Sequence, residues 1–326
     1  TFNLFNATVN VSYTLDVFGA IRRQIEASEA QLDYQKFQVE AAYLTLTSNI
    51  VTTAITEASL EAQIQATKEF IASQEKILKI TQQKLDLGGA SQLDVLAQET
   101  QLAQTRAALP PLQNNLAKIH HALAVLIGEL PSESKLPSFT LKDLHLPTDL
   151  PLSVPSLLVQ QRPDIRAAEA LLHVASAQVG VATANLFPQI TLTGGYGWTS
   201  DRLQTLFQHD SNIWNVIANL LQPVFQGGSL IAKREGAMAA FDQAFSQYRQ
   251  TVLQAFQNVA DTLRALELDA RQLQIQTAAE ESAFNALTLT QAQYKLGAVS
   301  YLNLLNAETQ YQQSRIGRIQ AQAARY

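Results

Sequence analysis

The 326-residue sequence has no cysteine, a single methionine, and little proline, glycine or charge. Without cysteine, disulfides, thiol nucleophiles and cysteine-ligated zinc or iron–sulfur centres are excluded. Ten prolines and 13 glycines are too few for a fibrous or linker-rich chain. No run of 18 or more apolar residues occurs, so the sequence predicts no transmembrane helix. Short amphipathic membrane strands are not excluded, since the sequence signal of each strand is much weaker than that of a transmembrane helix.

Charged residues make up 16% of the chain, against roughly 25% in an average soluble protein. Uncharged polar residues, including 37 glutamines, take their place. The net charge is −5 and no long basic run occurs, which argues against nucleic acid as a partner. The sequence contains no Ser/His/Asp triad, phosphate loop or paired-carboxylate cleft, so we predict that the protein is not an enzyme.

An internal repeat organises the chain. The run LGGASQLDVLAQETQ at 87–101 matches LGAVSYLNLLNAETQ at 296–310, an offset of 209 residues. The offset predicts a first repeat at 1–128, an irregular proline-rich connector at 129–161 and a second repeat at 162–326. Because partners of the early second repeat would lie upstream of residue 1, we expect the natural chain to extend at least 47 residues further upstream and about a dozen further downstream.

Long helices are predicted in both repeats. No proline or glycine interrupts 20–87, and only Gly236 lies within 229–296. Apolar residues recur at every seventh position in both stretches, which is typical of buried coiled-coil seams. The first such row is Ile25, Leu32, Val39, Leu46, Thr53 and Leu60.

Each long helix is followed by a glycine-containing turn and a serine, the expected stop and start signals of helices, so each repeat should hold a helical hairpin. Pro110-Pro111 should interrupt and kink the first returning helix. A further helix should begin at Arg162-Pro163-Asp164 and end near Asn185. The two turns comprise Gly88, Gly89, Ala90 and Ser91 in the first repeat, and Gly297, Ala298, Val299 and Ser300 in the second.

Apolar and polar residues alternate in three segments, 8–16, 190–199 and, less regularly, 213–224, which we therefore predict to be β-strands. The last two strands should form a hairpin at 188–225. Their lengths match the roughly 9–11 residues of a membrane-spanning strand, although half-buried soluble strands fit the pattern nearly as well. The repeat predicts four strands in a complete chain. Because a closed barrel needs about eight strands and an open sheet cannot stand in lipid, membrane strands would require an oligomer.

Six further runs carry a family resemblance. They are LLVQQRPDIRAAE at 157–169, QVGVA at 178–182, FP at 187–188, LDVFG at 15–19, ALPPL at 108–112 and LAVLIG at 123–128. In combination they closely resemble TolC-type outer-membrane efflux channels, in particular the NodT-like lipoprotein branch. The resemblance covers essentially the whole chain.

The resemblance implies a mainly α fold with membrane strands, built from two tandem structural repeats. It implies a homotrimer with a twelve-stranded β-barrel in the outer membrane and a long α-helical barrel in the periplasm, joined at an equatorial connector. The implied function is a passive export conduit for drugs, toxic small molecules or metal ions. The implied partners are outer-membrane lipid, a periplasmic adaptor (membrane fusion) protein and an inner-membrane pump of the RND type. No cofactor is implied, and the family's lipid-bearing N-terminal cysteine would lie in the upstream segment.

The family's periplasmic constriction maps onto the helix after the second turn, at Leu302, Asn303 and Asn306. Relatives commonly carry Asp at the position of Asn306 and Arg at that of Thr309. The resemblance therefore implies a gate based on Leu302 packing and asparagine hydrogen bonds, with weaker cation preference than a carboxylate ring would give. It also implies that the two turns contact the adaptor. Trp198 and Trp214 are candidates for an interfacial aromatic girdle.

No metal site is predicted. His120 and His121 are adjacent, so on a helix they point about 100° apart and cannot bind one ion together. We interpret them as polar residues near a helix end. His145, His173 and His209 have no nearby carboxylate pattern in the sequence.

Two alternatives to an efflux conduit stay open. A soluble periplasmic coiled-coil adaptor should be rich in Glu and Lys beside its seams, and the low charge of this chain argues against it. An outer-membrane channel of a type I protein secretion system would share the fold, and the sequence separates it poorly from an efflux channel.

Overall fold

The computed structural model describes residues 3–133, 139–146 and 161–326, and it is mainly helical. Two short 3-10 turns, at Leu203–Thr205 and His209–Ser211, lie between the last two strands. The strands and α-helices are, in chain order, β1 (Phe5–Leu15), α1 (Ala20–Asp86), α2 (Gln92–Leu126), α3 (Pro163–Ala184), β2 (Gln189–Ser200), β3 (Asn212–Leu221), α4 (Ser229–Lys295) and α5 (Tyr301–Arg325).

The predicted long helices are confirmed. Helices α1 and α4 each contain 67 residues, because no proline interrupts them and the one internal glycine costs only about 1 kcal/mol. They begin 209 residues apart, as do α2 and α5. Among the described residues, none of the helices combines the length and the apolar character that crossing a membrane requires.

The predicted interruption at Pro110-Pro111 is wrong. Both prolines lie inside α2, which continues to Leu126. Each proline removes one backbone hydrogen-bond donor, but the hydrogen bonds of the neighbouring turns keep the helix continuous past the two prolines. The predicted start of α3 is right, with Pro163 at its first position.

The predicted connector at 129–161 lies largely outside the described residues. Segments 134–138 and 147–160, which include four of its five prolines, are not described. Of the rest, 131–133 and 141–143 form turns.

The chain forms two compact units, and α1 and α4 each contribute residues to both. A strand unit comprises Thr1–Ala41 and Val154–Gln257. A helical unit comprises Ala42–Ser153 and Asn258–Tyr326.

The strand unit contains an antiparallel sheet in the order β1-β2-β3. The register pairs Val9 with Tyr196 and Tyr196 with Trp214, so these three side chains lie on one face of the sheet. The other face is largely polar, and it includes the row formed by Asn10 and Asn215. The three predicted strands are confirmed, with ends shifted by one to three residues.

Small side chains are buried along the helices of the strand unit, among them Ala27, Ala170 and Ala177. Ile165 of α3 and Ala255 of α4 form a small buried cluster. Phe18 stacks on Phe187 with ring centroids 4.8 Å apart.

Burial differs along the predicted seam of the first repeat. Thr53 and Leu60 are half-buried, whereas the side chains nearer the start of α1 are exposed in the single chain. The exposed members of the row are Ile25, Leu32, Val39 and Leu46. The prediction that the whole row is buried is therefore wrong for the isolated chain, because the first four residues of the row lie on an exposed face of α1, whereas Ala27 and Ala30 are buried on another face.

Candidate functional site

The two helical turns of the helical unit have the same backbone conformation. Gly88 and Gly297 both have φ of +75°, a left-handed conformation that favours glycine. The next residue in each turn donates a hydrogen bond from its N–H to the carbonyl five residues earlier: Gly89 to Lys84 (2.7 Å) and Ala298 to Gln293 (2.9 Å). This pattern closes the last turn of a helix and reverses the chain.

Both turns expose a leucine that the sequence analysis did not single out. Leu87 is 87% exposed and Leu296 is 86% exposed. Of the predicted adaptor-contact residues, the glycines, Ala298 and both serines are exposed, whereas Ala90 and Val299 are half-buried. Each turn therefore presents an apolar side chain beside small, accessible residues.

The helices that follow the turns begin differently. Ser91 accepts a hydrogen bond from the N–H of Asp94 (3.2 Å), and the Asp94 carboxylate accepts one from the N–H of Ser91 (2.9 Å). This capping box satisfies two donors that a helix start leaves unpaired. Ser300 occupies the same position in α5, but its side chain makes no capping hydrogen bond. The start of α5 therefore has fewer capping hydrogen bonds than the start of α2.

One face of α5 is packed against the helical unit. Tyr301 and Leu304 are buried in a cluster with Ile77, Leu287 and Tyr294. The ammonium of Lys84 donates a hydrogen bond to the carbonyl of Tyr294 (2.9 Å) and lies 4.0 Å from the centroid of its ring.

A buried polar group lies on this packed face. The Tyr301 hydroxyl donates to the side-chain carbonyl of Gln98, whose amide donates to the backbone carbonyl of Gln74 (3.2 Å). Glu308, one turn further along α5 than Leu304, is 2% exposed, and neither carboxylate oxygen has a hydrogen-bond partner among the described residues. Burial raises the pKa of Glu308 to about 7.

The predicted constriction residues lie on the opposite, accessible face of α5. Leu302 is 61% exposed, and Asn303 and Asn306 are also exposed. Leu302 and Asn306 are one helical turn apart, so they stack along the helix. The face continues with uncharged exposed side chains, namely Gln310, Gln313 and Gln320.

Ion pairs join α5 to the long helices. Arg315 lies 2.5 Å from Glu69 of α1, and Arg318 contacts Glu280 of α4. In the first hairpin, Arg106 of α2 lies 2.6 Å from Glu75 of α1.

In the strand unit, the two tryptophans lie at the same end of the hairpin. Trp198 pairs with Asn212, and Trp214 pairs with Tyr196 in the adjacent row of the same face. The rings of Trp198 and Tyr196 meet edge to face with centroids 5.5 Å apart. Trp214 is exposed and Trp198 is half-buried.

Two histidines have carboxylate partners that the local sequence did not reveal. His120 Nε2 lies 2.9 Å from Oε1 of Glu57, a buried residue of α1, and Glu61 is close to both. His173 Nε2 lies 2.7 Å from Glu26. His121, by contrast, has no ion pair with a described residue. Only a tertiary structure reveals these pairs, since their members are far apart in the chain.

Comparison with known proteins agrees with these features. The family described as "outer membrane efflux protein" matches residues 1–129 and 154–326. The chain belongs to that family. The resemblance predicted from the sequence is thereby confirmed, and the chain is assigned to the outer membrane.

Individual relatives support the same family. The chain is 31% identical over 318 residues to nodulation protein T of Rhizobium leguminosarum bv. viciae, covering 95% of this chain and 64% of that protein. It is 30% identical over 307 residues to the cation efflux system protein CusC of Escherichia coli K12, covering 93% and 66%. The chain thus spans about two thirds of the length of these relatives.

A solved structure of the family matches nearly the whole fold. The outer-membrane channel OprN superposes with a TM-score of 0.93 at 27% sequence identity, covering 99% of this chain and 78% of that one. OprN is named as an outer-membrane channel and CusC as a protein of a cation efflux system.

Proposed function

We propose that this chain forms the outer-membrane channel of a tripartite efflux system, a passive conduit across the periplasm and the outer membrane. Family membership carries the proposal. Two further features support it: paired helical hairpins with uncharged polar faces, and a sheet with an exposed apolar face. Family membership also favours a channel over a soluble adaptor, the alternative that the sequence left open.

The channel is a homotrimer in this proposal. Contiguous exposed apolar surface marks an interaction site or a lipid contact, and two such surfaces occur in the strand unit. One is the helical row that includes Ile25, Leu32 and Val39, and the other is the sheet face that includes Val9 and Trp214. Neighbouring chains would cover the helical row, and lipid would cover the sheet face.

The strands of three chains would form a twelve-stranded barrel, with four strands from each chain. Three of these are β1, β2 and β3. In a closed barrel neither β1 nor β3 keeps an unpaired edge, and in lipid unpaired edges would cost several kcal/mol per group. Trp198 and Trp214 would then belong to an aromatic girdle at one membrane interface.

We propose that the long helices form an α-barrel made of two tandem structural repeats. The equal lengths of α1 and α4, their 209-residue offset and the matching turns support a duplication. In this arrangement the first repeat ends near residue 128, the connector at 129–161 lies at the equator, and the second repeat begins near residue 162.

The gate of the proposed channel lies at Leu302, Asn303 and Asn306. Three copies around an axis would give an apolar ring beside two amide rings, with no fixed charge at the narrowing. Such a gate closes by packing and hydrogen bonds, and it discriminates little between cations and neutral molecules. The uncapped start of α5 fits a segment that moves when the channel opens.

The two turns are the proposed contact with a periplasmic adaptor, which links the channel to an inner-membrane pump of the RND type. Exposed Leu87 and Leu296 supply apolar anchors at these turns. The pump selects the cargo and supplies the energy, so the conduit itself serves drugs, toxic small molecules or metal ions. CusC is named for cation efflux, which lies within this range.

A leak assay tests the gate. In cells that lack their own channel of this kind, full-length protein carrying Leu302→Gly or Asn306→Gly should admit large antibiotics and lower the inhibitory concentration several-fold. Gln320→Gly is the control, because it puts the same helix-weakening residue on the same face about five turns away. Unchanged susceptibility, with the variants present in the outer membrane at normal levels, would remove these residues from the gate.

A further inference from the structure

Glu57 is a fully buried carboxylate of the helical unit. Its side chain is 0% exposed, and neither carboxylate oxygen makes a hydrogen bond to a described residue. Its ionisable neighbours include His120, whose Nε2 lies 2.9 Å from Oε1, and Glu61. A buried carboxylate without hydrogen-bond donors costs several kcal/mol unless it is paired, protonated or bound to a metal.

Glu61 makes the arrangement harder to explain as an ordinary ion pair. It lies one helical turn after Glu57, so both carboxylates face the same imidazole, and two negative groups share one partner. A divalent cation would neutralise both carboxylates at once.

We propose that Glu57, Glu61 and His120 bind a divalent transition-metal ion of the Zn²⁺ type. One donor atom from each residue lies within 4.8 Å of the other two. In a tetrahedral zinc site with bonds of about 2.0–2.2 Å, neighbouring donors are about 3.3 Å apart, so small side-chain rotations complete the site. Water would take the fourth position. The sequence analysis predicted no metal site, and this proposal departs from it.

The donor set decides the class of ion. Two oxygens and one imidazole nitrogen suit Zn²⁺ and similar first-row divalent ions, whereas soft Cu(I) prefers sulfur ligands and Mg²⁺ prefers all-oxygen octahedral sites. The ion would join α1 to α2 far from the turn at Gly88, and so would clamp the open end of the first helical hairpin. The proposed site is independent of the identity of the cargo.

Metal binding by the purified full-length protein in detergent tests the site. After treatment with a chelator, titration with ZnCl₂ should give one site per chain with micromolar or tighter affinity, and MgCl₂ should give none. Co²⁺ should give the visible absorption of a four-coordinate site. His120→Asn and Glu61→Gln should each weaken Zn²⁺ binding at least tenfold.

His121→Asn is the matched control, because the adjacent side chain points about 100° away, and it should bind Zn²⁺ like the wild type. The test changes Glu61 rather than Glu57, because Glu61 is only half-buried and a substitution at the fully buried Glu57 could prevent folding. The proposal is overturned if the wild type binds Zn²⁺ no better than Mg²⁺, or if His120→Asn retains the full affinity.

Discussion

The hydroxyl of Tyr301 donates a hydrogen bond to the side chain of Gln98, which ties the start of α5 to the start of α2. Both side chains are buried, and Gln98 continues the connection to the backbone of α1 through Gln74. Because the accessible face of the same α5 turn carries Leu302, this contact holds the proposed gate against the first hairpin. The predictions that follow concern the contacts that fix α5.

Tyr301→Phe should lower the free energy of unfolding by about 1–2 kcal/mol, because the buried carbonyl of Gln98 loses its donor. Denaturant unfolding of the purified protein in detergent measures the change. Tyr311→Phe is the control, since the Tyr311 hydroxyl makes no hydrogen bond to another described residue. Equal effects of the two substitutions would mean that the hydroxyl of Tyr301 contributes nothing specific.

Glu308→Gln should remove a pH dependence of stability. Burial raises the pKa of Glu308 from 4.5 to about 7 in the folded protein, so the unfolded chain loses this proton first as the pH rises. The wild type should therefore lose up to about 3 kcal/mol of stability between about pH 4.5 and pH 7, and the glutamine variant should not.

The unfolding midpoint measured from pH 5 to pH 8 checks this difference between the two proteins. Glu99→Gln is the control, because Glu99 occupies the equivalent position of the first repeat and is exposed. A Glu308→Gln variant whose stability declines with pH as steeply as that of the wild type would contradict the prediction.

Asn303→Asp should create at the start of α5 the capping box that Ser91 and Asp94 form at the start of α2. The new carboxylate can accept from the N–H of Ser300, so stability should rise by about 0.5–1 kcal/mol. The reverse change, Asp94→Asn, should lower stability by a similar amount. Thermal unfolding of both variants checks the pair, and shifts in the same direction would refute the capping argument.

Local sequence signals predicted the elements well because each depends on nearby residues. The glycine at position 88 and the serine at position 91 mark the first turn, and alternation along 190–199 marks β2. At Ser300 the same reasoning gives a side-chain cap that is absent, and Asn303 stands where Asp94 supplies the second half of the capping box. That difference from Asp94 is visible in the sequence, and it could have been used.

The burial of individual side chains could not be predicted from local sequence in the same way. Glu99 and Glu308 lie at equivalent positions in nearly identical runs, yet Glu99 is exposed and Glu308 is buried. Residues distant in the chain, including Tyr301 and its partners, decide the difference. The contact between Glu57 and His120 has the same origin, and so does the exposure of Ile25.

Conductance of the full-length protein in a planar lipid bilayer tests the central claim most directly. The account predicts a stable trimer that opens a water-filled pore in discrete steps, with larger conductance for Leu302→Gly and Asn306→Gly than for Gln320→Gly. A stable, detergent-solubilised monomer that gives no conductance would contradict it.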